Sequence, residues 1–303
     1  MRTTYLRFFP IALSAILLLA ACSNDGNDEP KTQKVVNQNC NDKTVNPYTT
    51  GLEFPNISQP KVRVLVNSTT DYGVNYCVGW DDNLKSQRYS CYAMYASNSV
   101  AHTSRWYADT SKGEVQYAED TRIPDQFKLS GDPFWGSGYD HGHICPSADR
   151  LCTREANIQT FYLSNMQPQV NAFNAGVWAT MEGRVRSWNV STFRDTLYVC
   201  KGGTIEPNTY CTDAVRLKTA KGMIVPKYYF MAVLCKNKEG YKALGFWIEH
   251  KASDDTDLAK YVVNIDRLEE LTGLDFFCNL PDTIERNIES LPVENVKLAW
   301  GFK

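Results

Sequence analysis

Gly138 to Arg186, GYDHGHICPSADRLCTREANIQTFYLSNMQPQVNAFNAGVWATMEGRVR, decides how the rest of the chain is read. Two of the four histidines, His141 and His143, fall within its first six residues beside Asp140, behind a glycine-rich lead-in, GDPFWGSGYD. Amide-rich turns follow, then a stretch carrying Asn174, Glu182 and Arg186. Over 174–188, Val177, Trp178, Met181, Val185 and Trp188 recur at helical spacing and predict one buried stripe. Glu182 and Arg186 are four apart and lie about 40° from one another around such a helix, with Asn174 at its start. Taken alone this is an amphipathic helix with an Asn N-cap and one surface ion pair. The Asp-His-Gly-His turn ahead of it gives the helix a chemical reading.

Acid, imidazole, amide and guanidinium form the set used in metal-assisted phosphoryl transfer. Phosphodiester hydrolysis needs an activated water, charge relief on the phosphoryl oxygens and stabilisation of the departing oxygen. A neutral His takes a proton from water well, because its pKa of about 6.5 lies near working pH. A hard cation such as Mg²⁺ prefers oxygen ligands and keeps most of its waters, so one or two protein oxygens suffice. An Arg presents a fixed fork of donors to developing phosphoryl charge. His143, Asn174 and Arg186 could fill these roles, with Glu182 and Asp140 holding metal waters or orienting the base.

The same residues resemble the DNA/RNA non-specific endonucleases of the ββα-metal (His-Me finger) superfamily, the family that includes mitochondrial endonuclease G. Its pattern is Asp-Arg-Gly-His, then Ser-Asn-x-x-Pro-Gln, then Asn-x-Gly-x-Trp with a Glu eight residues beyond that Asn. Here the chain reads Asp140-His141-Gly142-His143, Ser164-Asn165-Met166-Gln167-Pro168-Gln169, and Asn174-Ala175-Gly176-Val177-Trp178 with Glu182. The resemblance extends over roughly 88–280. It implies His143 as general base, Asn174 as direct Mg²⁺ ligand and Glu182 as the acid that binds the metal through water. It also implies Arg186 at the scissile phosphate, Asn165 as an amide supporting the active-site loop, and Asp140 as the motif's structural acid. The expected activity is cleavage of DNA and RNA to 5′-phosphate ends with Mg²⁺, Mn²⁺ being the alternative metal; some members form homodimers. His141 departs from the pattern, replacing an arginine and removing a permanent charge. Altered substrate preference, pH optimum or rate is the expected consequence. A catalytically impaired protein binding nucleic acid or a glycan is the competing reading.

Outside this stretch, the N-terminus carries the clearest message. Arg2 and Arg7 precede FFPIALSAILLLAA, an apolar run too short to span a bilayer core of about 30 Å. Residues 1–21 therefore read as a signal peptide, and Leu19-Ala20-Ala21-Cys22 resembles a bacterial lipobox. An exported protein, lipid-anchored through Cys22 to a bacterial membrane in the periplasm or at the cell surface, is expected; a plain secretory signal is the alternative. Residues 22–60, rich in Asn, Asp, Thr and Pro, read as a flexible tether, leaving 61–303 as one domain.

Composition is that of a globular protein, 43% hydrophobic and 22% charged, and the formal charge of −2 lacks the basic excess of a tight nucleic-acid binder. Setting Cys22 aside leaves nine cysteines, which in an oxidising compartment predicts four disulfides and one free thiol. No C-x-x-C pair occurs, and a zinc site is not expected. Strands are predicted at 61–67, 87–97, 195–203, 222–236 and 241–250, with a hairpin turn at Asn237-Lys238-Glu239-Gly240. Helices are predicted at 174–188 and 258–272, the latter stopped by Gly273. The expected class is α+β around a mostly antiparallel sheet.

Overall fold

Alternating side chains on twisted strands need two apolar coats if both faces are to be buried, and this chain supplies both. The computed structural model describes residues 36–302. The expected signal peptide Met1–Ala21, the expected lipidation site Cys22 and the first part of the expected tether lie outside the described residues. In chain order the strands are β1 (Arg63–Thr69), β2 (Gly73–Asp81), β3 (Ser86–Tyr95), β4 (Asp140–His143), β5 (Met166–Gln169), β6 (Thr196–Gly203), β7 (Val215–Lys218), β8 (Ile224–Pro226), β9 (Tyr228–Asn237), β10 (Gly240–Glu249) and β11 (Val262–Val263). The helices are α1 (Arg154–Gln159), α2 (Asn171–Phe173), α3 (Ala179–Trp188), α4 (Ile265–Thr272), α5 (Asp282–Glu289) and α6 (Val293–Ala299).

The main sheet has seven strands in the order β1-β2-β3-β6-β9-β10-β11, every neighbouring pair antiparallel. Strand β9 shows how it is coated. Tyr229, Met231, Val233 and Cys235 join one core with Trp178, Met181, Val185 and Trp188 of the site helix and with Val296 and Trp300. Phe230, Ala232 and Leu234, on the other face, join a second core with Ile265 and Leu268 of α4 and Ile288 of α5. The fold is therefore the expected α+β class, built as helix, antiparallel sheet, helix.

Several local expectations change. No strand was expected over 73–81, because β2 is buried on both faces along most of its length and shows no alternation. The run 222–236 divides into β8 and β9 around Lys227. The helix expected over 258–272 begins only at Ile265, where the Asn264 side chain accepts the Arg267 N–H. Ahead of it lie a 3₁₀ turn, Leu258–Tyr261, and the edge strand β11.

The tether expectation fails for its second half. From residue 36 the chain packs onto the domain: Phe54 is fully buried in the second core, and Asn41 Nδ2 donates to the Thr49 and Pro55 carbonyls at 3.0 and 3.1 Å. Polar composition misled here because asparagines replace secondary structure as the partners of a docked backbone.

The disulfide expectation also fails. Among the described residues all nine cysteines are free, eight of them buried. Cys77, Cys91 and Cys200 stand opposite one another on β2, β3 and β6. Directly paired antiparallel residues hold their Cβ atoms about 4.5–5.5 Å apart, beyond the roughly 3.8 Å of a disulfide, so these thiols act as small apolar fillers.

If 36–60 belongs to the fold, Phe54→Ala lowers the unfolding free energy by about 3–5 kcal/mol in urea titration; a tether residue would leave the midpoint unmoved.

Candidate active site

Strands β4 and β5 form a separate two-stranded ladder, with Asp140 opposite Gln169 and His143 opposite Met166. The period of two puts His141 and His143 on one face and Gly142 on the other. A Cβ at Gly142 would meet the Gln169 carboxamide at 2.5 Å, so the pattern needs glycine there. Beneath the hairpin, Asn165 is wholly buried. Its Oδ1 accepts the Cys145 N–H and the Ser90 hydroxyl, both at 2.9 Å, while its Nδ2 donates to the Cys145 and Thr160 carbonyls at 2.9 and 2.8 Å. It clamps the chain just after His143.

The helix expected to begin at Asn174 begins three residues earlier, at Asn171. Residues Asn174–Trp178 form a π turn joining α2 to α3, with Gly176 outside helical φ/ψ at −94°, −117°. The Val177 N–H leaves the helix to donate to the Ser253 carbonyl at 2.7 Å, and a Cβ on Gly176 would collide with that same carbonyl. Asn174 is therefore not an N-cap. It sits at a local widening of the helix, a feature common at functional sites.

Hairpin and helix meet at Asp140. Its Oδ2 accepts from Asn171 Nδ2 at 2.9 Å and from Asn174 Nδ2 at 3.0 Å. With the amide nitrogen engaged, Asn174 Oδ1 is left as the free donor atom of a neutral oxygen ligand. Asp140, His141, His143, Asn174 and Glu182 line one open cleft of ≈ 510 Å³, together with Arg105, Tyr117 and Trp135. His143 Nε2 is shielded from bulk solvent and has no hydrogen-bond partner among the described residues. Burial, then the nearby Arg105 charge, lowers the His143 pKa to about 3, so the imidazole is neutral. A buried polar atom without a partner requires one, and a water or substrate group in the cleft supplies it.

The other groups form a charged chain behind the cleft. Lys201 Nζ, almost fully buried, donates to Glu182 Oε1 at 2.7 Å. Burial pushes the Glu182 carboxyl up, and the Lys201 charge opposes that push. Arg186 stands 4.0 Å from Glu182 and donates to Asp149 Oδ1 at 2.9 Å, while the Tyr92 hydroxyl donates to Asp149 Oδ2 at 2.8 Å. Arg186 thus borders the site through Glu182 without lining the cleft, and Asn165 lies beneath it. Lys201 escaped the sequence reading, although a signal existed. On β6 it shares the alternating face of Leu197 and Val199, where an unpaired lysine would be costly.

His141 has a different setting from His143. Its ring stacks on Tyr117 (centroids 3.7 Å apart) and Phe134 (4.5 Å), and its Nε2 meets Asp132 at 2.9 Å. Burial lowers its pKa, against the raising effect of Asp132. Three further arginines differ in setting. Arg105 lines the cleft, stacked over Phe161. Arg150 is buried over Tyr92, and Arg154 is exposed near Glu114. His250, given no role from sequence, is a buried latch: its Nε2 accepts the Val170 N–H at 2.8 Å, just ahead of α2.

The family model for DNA/RNA non-specific endonucleases matches residues 58–283, which takes in the sheet, the hairpin and the site helix. The chain belongs to that family. A nuclease of Syncephalastrum racemosum is 35% identical over 182 residues, 56% of either chain. A nuclease of a Nostoc strain is 31% identical over 218 residues, 66% of this chain and 75% of its own. Human mitochondrial endonuclease G is 28% identical over 182 residues, 58% of this chain and 61% of its own. A solved structure of an EndoG/EndoGI complex contains a chain that superposes with a TM-score of 0.58 at 25% identity, over 71% of this chain and 86% of that one. The chain thus spans little more than half the length of some of the nucleases it matches. Within this endonuclease fold, β4, β5 and the helix from Asn171 are the ββα unit that the motif resemblance implied.

The neutral His143 has a consequence for stability. An unfolded His titrates near 6.5, whereas folded His143 is lowered to about 3. Below pH 6.5 the unfolded chain takes a proton that the folded chain refuses, so stability present above 6.5 is lost as pH falls toward 3. His143→Ala should flatten the fall of the urea midpoint between pH 6.5 and 4, with His250, lowered to about 4, retaining part of the slope. Equal slopes in the two proteins would show that His143 is not held neutral.

Proposed function

We propose that this protein is a metal-dependent, sugar-non-specific endonuclease hydrolysing phosphodiester bonds of DNA and RNA to 5′-phosphate ends. The observation that carries the reading is the bond from Asn174 to Asp140, in the cleft where His143 Nε2 has no partner. An amide whose nitrogen is tied to a carboxylate presents its oxygen outward, which suits a hard cation such as Mg²⁺ or Mn²⁺. Asn174 Oδ1 would hold the ion directly and Glu182 through water. When bound, the ion supplies charge relief to the phosphoryl oxygens and the leaving group.

The remaining steps fall to side chains. His143 Nε2 takes the proton of the attacking water; its neutrality keeps it ready, and its low basicity is offset when the anionic substrate enters beside it. Arg105 draws the phosphate into the cleft, and Arg186, which stands behind Glu182, reaches it after loosening its hold on Asp149. Asp140 and Asn165 position, the first through the Asn174 amide, the second through the loop after His143. Lys201 opposes the effect of burial on the Glu182 carboxyl.

For location, we read the signal peptide and Cys22 as export and lipid anchoring at a bacterial membrane, periplasmic or at the cell surface. Cys22→Ala should then move the protein from the membrane fraction to the soluble one. A homodimer, known among family members, is part of the same reading and would be seen by light scattering.

Supercoiled plasmid and RNA, each incubated in Mg²⁺ and in EDTA, test the activity. The wild type should nick both in Mg²⁺ alone, and His143→Ala should lose about 10²–10⁴-fold in rate. Loss in His141→Ala with retention in His143→Ala would move the base to the other imidazole. Binding without cleavage across metals and pH would favour the impaired binding protein. In the same assay Lys201→Met should slow cleavage and raise the Mg²⁺ concentration for half-maximal rate, since Glu182 loses the largest charge that opposes its burial.

A further inference from the structure

On the sheet face away from the cleft, α4 and α5 carry a group of acids that the nuclease reading does not use. Asp266 and Glu269 lie three apart on α4, hence on one side of that helix, and Glu289 reaches them from the end of α5. One oxygen from each of the three lies within 4.8 Å of the others. Two oxygens held about 2.4 Å from a common Ca²⁺ are at most about 4.8 Å apart, a limit that these three meet pair by pair.

Glu289 supplies the second observation. It is only 6% exposed, and its buried Oε1 has no hydrogen-bond partner among the described residues. A carboxylate oxygen enclosed in this way costs several kcal/mol unless something cationic or a donor meets it. The charges acting on it are those of Glu269, Glu285, Asp275 and Asp266, all of one sign. Arg267, on the same helix as Asp266, is paired elsewhere, with Glu270 at 2.7 Å. Glu269 Oε1 accepts the Phe276 N–H at 2.7 Å, which fixes the carboxylate and leaves its second oxygen free. Glu269 and Asp275 also line a surface groove with Asn56, Ser58 and Gln59, which gives an ion and its waters a way in.

We propose that Asp266, Glu269 and Glu289 bind a hard divalent cation, Ca²⁺, as a structural ion that joins α4 to α5. All the donors are oxygen, which excludes the nitrogen and sulfur preference of zinc. Their irregular arrangement on two helices suits Ca²⁺, which tolerates 6–8 ligands in flexible geometry, better than Mg²⁺, which demands a near-ideal octahedron. The site is independent of the cleft, because α4 packs in the core formed with Phe230, Ala232 and Leu234, opposite the core that holds α3.

The test is thermal unfolding of the full chain in EDTA and in millimolar Ca²⁺, with bound Ca²⁺ counted by equilibrium dialysis. The wild type should bind Ca²⁺ saturably and gain about 5 °C in Tm. Glu289→Gln should lose at least about 10-fold in Ca²⁺ affinity and most of the shift, while its Tm in EDTA equals or exceeds the wild-type value because the amide cannot repel the four acids around it. Asp266→Asn, at an exposed position that tolerates the change, should lose the shift too and serves if Glu289→Gln fails to fold. Asn174→Ala, which alters the cleft, should keep it. A wild type indifferent to Ca²⁺ would overturn the proposal. So would a shift that survives both acid variants, or one that disappears in Asn174→Ala.

Discussion

The carboxylate of Asp140 holds the site together. It stands at the start of the β4–β5 hairpin and receives N–H groups from Asn171 and Asn174, one turn apart on the far element. Neither element could place its groups alone. A four-residue strand pair is marginal by itself, and the helix opens with a single α turn followed by a π turn. An acid accepting two amide donors at the helix start ties them together and also favours the helix dipole. The same bonds decide which end of the Asn174 amide faces the cleft. One interaction thus serves folding and site geometry together.

Around that junction the main sheet acts as a rigid wall. Trp178 and Met181 of the site helix pack against its core face, while Glu182 of α3 turns toward Lys201. A buried ion pair of this kind contributes little net stability, because desolvation of both charges offsets their attraction. Its presence is better understood through Glu182, a carboxyl that burial alone would drive toward neutrality. Lys201 also lies over the Trp178 ring at 5.1 Å, so the lysine stem and the core share one surface. Removing either partner leaves a buried charge, which couples the chemistry of the cleft to the integrity of the sheet.

Much of the site was legible in the sequence, because three short patterns at fixed spacing restrict the fold more than composition does. Asp140, His143, Asn174 and Glu182 reach one cleft as the motifs implied. The illegible parts have identifiable causes. The break at Gly176 depends on the Ser253 carbonyl, which is remote in sequence. The docking of 36–60 depends on asparagine side chains finding backbone carbonyls, a pattern that reads as disorder when only composition is seen. Strand β2 lacked alternation because both its faces are covered. The acids on α4 and α5 come together only when the two helices are laid side by side, which no local spacing in the sequence announces.

The replacement of the motif arginine by His141 changes where positive charge can act. A histidine could have restored that charge by protonation, but its ring lies between Tyr117 and Phe134, and burial works against the protonated form. What opposes burial is Asp132, and a cation neutralised by its own carboxylate offers a phosphate little. Another positive charge, Arg105, enters the cleft from the loop between β3 and β4 and rests on Phe161, whose ring also meets His143 edge-on. A guanidinium there attracts an anion and simultaneously depresses the basicity of the His143 imidazole. The two effects pull against each other until phosphate binds. Burial remains the larger cause of the lowered basicity, and in the proposed reaction the substrate's charge would offset only the Arg105 contribution.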